Sequence, residues 1–249
     1  MGALKDAESS KPRLWGWYAE LRPEQITLIR EHSDIAFVPW GALEWHCQHA
    51  PIGLDSVKAE GICQAIAQRL GGVVLPAIPM GVNTIKPFKG FPHSIDFSGE
   101  LVAEVAAAFC SQLADEGFRI VVLLSGHYPP EHVAALEAGV CKAWEAYPDI
   151  DFVVWTDNGL MGEAYKGDHA GATETSFQLL FDSSSVDLTS LPDRALTLDG
   201  DGVMGDDPRD ASEERGRRQL AIVVDAAVSY THLRAHETGR NLVCRLLLE

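Results

Sequence analysis

Three short stretches concentrate the side chains of this chain that can do chemistry. The first, WGALEWHCQHAPIGLDS, places Glu44, His46, His49 and Asp55 within twelve residues. In an extended segment Glu44 and His46, two apart, point to the same side. Asp55 follows a turn marked by Pro51 and Gly53 and stands just before a helical pattern. Hard carboxylate oxygens and a borderline imidazole together suit zinc, manganese or iron(II). The second stretch, SGHYPPEH, sets His127 directly after Gly126, a residue that allows close backbone approach. The third, KGDHAGATETS, gathers Asp168, His169 and Glu174 around two glycines, with Thr173 as a candidate helix cap.

Taken singly, each of these residues is as well explained by a solvated loop or by an acidic first turn of a helix. Together, Glu44, His46, Asp55, His127 and Glu174 supply two imidazoles and three carboxylates. That set exceeds the needs of one tetrahedral zinc with an open position. It suits two divalent metals bridged by a carboxylate, with water completing the shells. Two ions about 3.5–4 Å apart share one hydroxide and polarise a carbonyl, which is hydrolytic chemistry. The three carboxylates nearly offset two dications, so the set can be buried.

The elements that must position these residues read as alternating strands and helices. Ile35–Pro39, Val73–Ile78, Ile120–Leu124 and Asp151–Thr156 are short, near-continuous apolar runs, as strands covered on both faces require. Helical patterns span Asp55–Leu70, Ser98–Gly117, Pro130–Tyr147, Thr173–Phe181 and Ser212–Val228. Ser98 is a candidate N-cap, and Gly117 stands where a helix ends in the left-handed region. Strand-then-helix alternation predicts an α/β fold with a mainly parallel sheet between helical layers. In such sheets the ligand site lies beyond the carboxyl ends of the strands, where the first two stretches begin.

The rest of the chain sets limits. At 249 residues it is long enough for one large domain. A net charge of −16 opposes binding to a nucleic-acid backbone. No apolar run reaches the roughly 18 residues of a membrane span. The five cysteines have no CxxC spacing, and the N-terminus lacks a signal-type apolar core, so a soluble protein of a reducing cytoplasm is expected. Thr189–Asp210, rich in Asp and Gly, reads as a surface loop that does not meet the EF-hand pattern. The single domain is placed at residues 1–228. Residues 229–249 change to Arg, His and Leu and read as a non-native tail.

The motif set resembles the creatininase (creatinine amidohydrolase) family. GALEWHCQHAPIGLDS follows that family's G-x-x-E-x-H-G-x-H-L-P-x-x-x-D pattern, SGHY its N/S-G-H pattern, and DHAGATETS its H-A-G-x-x-E-T-S pattern. The resemblance spans about residues 30–228. It implies a three-layer α/β/α fold, two divalent metal ions per chain (Zn, Mn or Fe), and hydrolysis of a carbon–nitrogen bond, often in a cyclic amide. By the same resemblance Glu44 and His127 hold one metal, His46 and Glu174 the other, and Asp55 bridges them. His169 matches the catalytic histidine, and a homo-oligomer, commonly a hexamer, is expected.

Three departures stand out against creatininase itself. Its G-H-Y-E stretch is here Gly126-His127-Tyr128-Pro129, with Glu131 two residues further on. Cys47 stands where many relatives have glycine, and Tyr165 replaces a tryptophan four residues before His169. The expected mechanism is attack of a bridging hydroxide on a small-molecule carbonyl, with His169 delivering a proton to the leaving nitrogen and Asp168 orienting its imidazole. Trp45, Tyr128, Trp155 and Tyr165 are assigned to the substrate pocket. Gly81–Phe91 is expected to cover it, with Lys86 or Lys89 drawing in an anionic substrate. A lactone, ester or small-peptide hydrolase on the same metals, a non-catalytic metabolite-binding domain, and a subunit whose metal is purely structural are the alternatives.

Overall fold

The computed structural model describes residues 14–236. The elements are β1 (Trp15–Trp17), α1 (Pro23–His32), β2 (Ile35–Gly41), α2 (Leu54–Leu70), β3 (Gly72–Val74), β4 (Ile78–Pro79) and α3 (Ile85–Lys89). They continue with α4 (Gly99–Asp115), β5 (Ile120–Ser125), α5 (Pro130–Ala146), β6 (Asp151–Thr156), α6 (Asp157–Met161), α7 (Ala172–Asp182), α8 (Leu198–Asp201) and α9 (Glu213–His236). The strands form one parallel sheet in the order β1-β3-β2-β5-β6, with β4 pairing on β2.

Successive strand residues face opposite sides of a sheet, and the core divides by that parity. Ala36, Val38, Trp40, Val121, Leu123 and Phe152 pack toward α4 and α5, against Val102, Ala106, Leu136 and Val140. Ile35, Phe37, Val122, Leu124, Val153 and Trp155 pack toward α2, α7 and α9, against Ile62, Ile66, Phe177 and Val223. Every residue of β2 is buried, which is why its sequence is apolar without alternation. The three-layer α/β/α arrangement is the one expected from the sequence.

Some boundaries differ for identifiable reasons. Val73–Ile78 is not one strand. It contains Pro76, which has no N–H to donate, and it splits into β3 against Ala36 and Phe37 and β4 against Trp40 and Gly41. The edge strand β1 and the helix α1 were not anticipated, because three residues of WGW carry no period to read. Ser98 does cap α4, its hydroxyl accepting from the Leu101 N–H at 3.2 Å. Helix α9 continues beyond residue 228 to His236, and Tyr230 sits edge-on against Trp155 with ring centroids 5.6 Å apart. Residues 237–249 of the expected tail lie outside the described residues.

What positions the site is the contact between strand ends and the first turn of α2. Gly41 ends β2 against the backbone of Ser56, and Gly126, just past β5, lies against the Asp55 carbonyl. A methyl group at either glycine would overlap those backbone atoms. The Gly126 N–H also donates to the Trp40 carbonyl at 2.8 Å, tying the two strand ends together. Gly126→Ala is therefore expected to destabilise the protein by about 1–3 kcal/mol through overpacking. A thermal melt should show Tm several degrees lower, and an unchanged Tm would refute the close packing.

Candidate metal centre

Five of the sequence-predicted residues converge at the carboxyl end of the sheet. Glu44 and His46 follow β2, Asp55 is in the first turn of α2, His127 follows β5, and Glu174 is in the first turn of α7. All five are buried, none more than 4% exposed. His127 Nδ1 lies 2.8 Å from Glu44 Oε2 and 3.4 Å from Asp55 Oδ2. His46 Nε2 lies 3.3 Å from Asp55 Oδ1 and 3.5 Å from Glu174 Oε2. The two oxygens of Asp55 thus face different histidines. Among the described residues, the potential ligand atoms of Glu44–Asp55–His127, of His46–Asp55–Glu174 and of Glu44–His46–His169 each fall within 4.8 Å of one another.

The histidines are oriented for metal ligation. A backbone carbonyl can only accept, so the ring nitrogen facing one carries the hydrogen. His46 Nδ1–H donates to the Glu44 carbonyl at 3.0 Å, His127 Nε2–H to Val82 at 3.0 Å, and His169 Nε2–H to Trp45 at 3.0 Å. Each ring therefore turns its other nitrogen toward the carboxylates, as ligating histidines do. His46 Nε2 and Asp55 Oδ2 are buried without a hydrogen-bond partner among the described residues. A cation satisfies both, so the residues present fit a divalent metal.

The electrostatics agree. Burial alone would lower the His46 pKa, but the charges of Asp55, Glu174 and Glu44 raise it to about 9. His127 is raised to about 10 against burial by Glu44 and Asp55. Burial would raise Asp55, yet the two imidazoles hold it well below the usual carboxylate range. Without metal, the carboxylates thus keep protons on His46 and His127.

Further buried groups hold the ligands in place, and sequence reasoning missed three of them. Lys58 Nζ donates to Glu174 Oε1 at 2.7 Å and lies 3.4 Å from Asp157 Oδ2. Burial opposes charge on Glu174, but the Lys58 ammonium brings its pKa down to about 2. The signal was available: Lys58 is three residues after Asp55 on the same helical face, and Asp157 directly follows β6. His132 accepts from the Val82 N–H at 3.3 Å and donates to Ser125 Oγ at 3.2 Å, with its ring edge-on to His127. Burial and the nearby His127 charge lower its pKa to about 3, so it is a neutral support.

The expected roles of Thr173 and Asp168 are corrected. Thr173 does not cap α7. The Asp168 carboxylate does, accepting from the N–H groups of Gly171, Thr173 and Glu174 at 3.1–3.2 Å, and it makes no bond to the His169 ring it was expected to orient. His49 faces Thr175 Oγ1 at 2.8 Å and is absent from the ligand groups. Cys47 has φ +59°, a left-handed conformation that favours glycine, and its side chain packs on Ala170 and Val203.

A cavity of about 350 Å³ opens over Glu44, Asp55, His127, His169 and Glu174. Tyr128 and Pro129 line it, and the Tyr128 hydroxyl donates to Glu174 Oε1 at 3.0 Å. Trp45, Trp155 and Tyr165 are not among its lining residues. Trp45 stacks on Phe91 and donates from Nε1 to the Asp201 carbonyl at 3.0 Å. Trp155 lies in the core beside α9. Tyr165 braces the site from behind, its hydroxyl donating to the Tyr128 hydroxyl at 2.9 Å and accepting from the Asp168 N–H at 2.7 Å. Ile85 and Phe88 of the expected covering segment reach the cavity, whereas Lys86 turns to the Ser94 carbonyl and Lys89 to Asp199.

A family model described as creatinine amidohydrolase matches residues 19–231. The chain belongs to the creatininase family. A creatinine amidohydrolase of Pseudomonas putida is 27% identical over 180 residues, covering 64% of this chain and 68% of that protein. A crystal structure of creatinine amidohydrolase (creatininase) shares the fold at a TM-score of 0.76 and 23% identity, covering 90% of this chain and 98% of the other. A structure described as creatininase Mn gives 0.75 at 23% identity over 88% and 98%. No helix among the described residues is long and apolar enough to cross a membrane.

The raised pKa values of His46 and His127 have a signed consequence. Groups protonated more tightly when folded stabilise the protein below their ordinary pKa near 6.5 and lose that contribution as pH rises through the folded values. Those values are about 9 and about 10. Tm of chelator-treated protein should fall between pH 7 and 10 more steeply than Tm of metal-loaded protein, whose rings carry metal in place of the proton. Parallel curves would contradict the assignment.

Proposed function

We propose that this member of the creatininase family is a hydrolase with two divalent metal ions per chain, zinc or manganese, that opens a carbon–nitrogen bond in a cyclic amide. The observation that carries the reading is the pair of ligand groups sharing Asp55. Glu44, His127 and Asp55 would hold one ion, and His46, Glu174 and Asp55 the other. Two dications against three carboxylates bring the buried set near neutrality. Family membership supports the amidohydrolase class, and the creatininases of known structure include forms described as Mn and as Zn-Zn. Bound there, the two ions would bring the pKa of a shared water to about 7 and polarise the substrate carbonyl.

The chain's own residues do the rest. Burial holds the His169 pKa below the ordinary histidine value, so its Nδ1 is a free base at neutral pH. His169 lines the cavity with its ring pinned through Nε2 to Trp45. Its Nδ1 takes the proton of the attacking water and passes it to the leaving nitrogen, which completes the amide cleavage. Lys58 and Tyr128 hold Glu174 through Oε1, leaving Oε2 directed at His46. Creatinine is not the proposed substrate, since Pro129 lines the cavity where creatininase carries a carboxylate. The resemblance also leads us to propose a homo-oligomer, which light scattering on the purified chain decides.

Purified protein reconstituted with zinc or manganese should carry close to two metal equivalents per chain; less than half an equivalent would overturn the reading. Glu174→Gln should lose about one equivalent and most activity. His169→Ala should keep the metal while kcat falls about 10²–10⁴-fold, the usual worth of a positioned acid–base group. Cyclic amides, lactones and short peptides assayed side by side separate the reaction classes, and turnover confined to lactones or peptides would replace the amide assignment.

A further inference from the structure

The cavity has two unlike halves. The carboxylate and imidazole cluster is buried, whereas the apolar lining of Ile85, Phe88, Leu198 and Met204 with Pro130 opens to solvent at Phe88 and Met204, which mark its mouth. Phe88 and Met204 remain 59% and 46% exposed, unusual for large apolar side chains gathered at one opening. This wall is built into the site. The Ile85 N–H donates to Glu44 Oε1, so a candidate metal ligand fixes the start of the helix that presents Ile85 and Phe88. Thr84 caps the same helix and is itself held by Asp96 through its N–H at 2.9 Å and its hydroxyl at 2.6 Å.

Charge recognition is missing from the mouth. Among the described residues, no lysine or arginine lines the cavity. Lys89 of the same segment is paired with Asp199 at 2.6 Å and lies over the Phe88 ring. Lys86 donates to the Ser94 carbonyl at 3.3 Å. With its amide over the metal cluster, a substrate whose tail carries a free carboxylate would set that charge against an apolar wall with no basic side chain among the described lining residues. The one neutral amide of the wall, Asn83, donates from Nδ2 to Glu131 Oε2 at 3.0 Å, which leaves its Oδ1 open to an N–H donor.

Resting on the metal-hydrolase reading, we propose that the substrate is an uncharged amide carrying an apolar substituent, with the amide over the metal cluster and the substituent against Ile85, Phe88, Leu198 and Met204. The volume suits a small molecule and excludes a long peptide.

Three hydroxamates test this without relying on turnover, because the hydroxamate anchors to metal while its tail samples the mouth. Binding of acetohydroxamate, 3-phenylpropionohydroxamate and the carboxylate-tailed succinomonohydroxamate to zinc-loaded full-length protein is measured by calorimetry. The phenyl compound should bind at least about tenfold more tightly than acetohydroxamate, within the range an apolar pocket discriminates. The carboxylate compound should gain nothing. In Phe88→Ser and Met204→Ser, both changes at exposed positions, the phenyl-to-methyl ratio should fall at least about threefold. A ratio near one, or a preference for the carboxylate tail, overturns the apolar substrate class and leaves the metal centre standing. Failure of all three to bind zinc-loaded protein overturns the hydrolase reading and this proposal with it.

Discussion

Glu44 and Asp55 are buried beside His127, Asp55 and Glu174 beside His46, and burying like charges together is costly unless positive charge is brought to them. The arrangement of the site follows from that constraint. Without metal, the carboxylates hold protons on His46 and His127 well above the ordinary histidine range. Divalent cations bound among the same residues would meet the same demand. The carboxylates therefore give the centre its affinity for cations and its dependence on them.

The fold supplies the means of holding such a cluster still. Parallel strands end side by side, and β2 and β5 deliver their following residues to one place. Glycines at those ends let the first turn of α2 come close enough to insert Asp55 between them. His46 and His127 are each pinned by a main-chain carbonyl, and the candidate ligand Glu174 is gripped by Lys58, Tyr128 and the Ala170 N–H. Fixed supports of this kind set ligand geometry as firmly as the ligands themselves. Lys58 and Asp157 form a buried pair behind the centre, so the ammonium that steadies Glu174 has its own counter-charge.

The positions at which this chain departs from creatininase fall into different physical settings. Cys47 occupies a left-handed turn, a conformation that favours glycine, and packs among small apolar side chains. Tyr165 sits behind Tyr128 as a hydrogen-bonded brace rather than at the cavity surface. Pro129 does line the cavity, and there the change replaces a charge with an apolar ring. The first two preserve the scaffold, whereas the third alters what the substrate meets.

Much of this was legible before folding. The apolar runs Ile120–Leu124 and Asp151–Thr156 announce buried parallel strands because a strand covered on both faces has no polar side to show. The chelating residue types after Ile35–Pro39 and Ile120–Leu124 announce a cation site, because hard oxygens and imidazole have few other reasons to be gathered at strand ends. Lys58, Asp157 and His132 stayed hidden. A buried ammonium looks like any surface lysine until the helix that carries it is packed against its partners. Trp45 and Trp155 were misplaced for the converse reason, since aromatic character says that a ring will be covered but not by what. Chain order thus determined the ligand types and the layers that hold them. Only the tertiary structure decided which oxygen faces which nitrogen, because contacts such as Glu44 to His127 and His46 to Glu174 join distant segments through packing that no local pattern encodes.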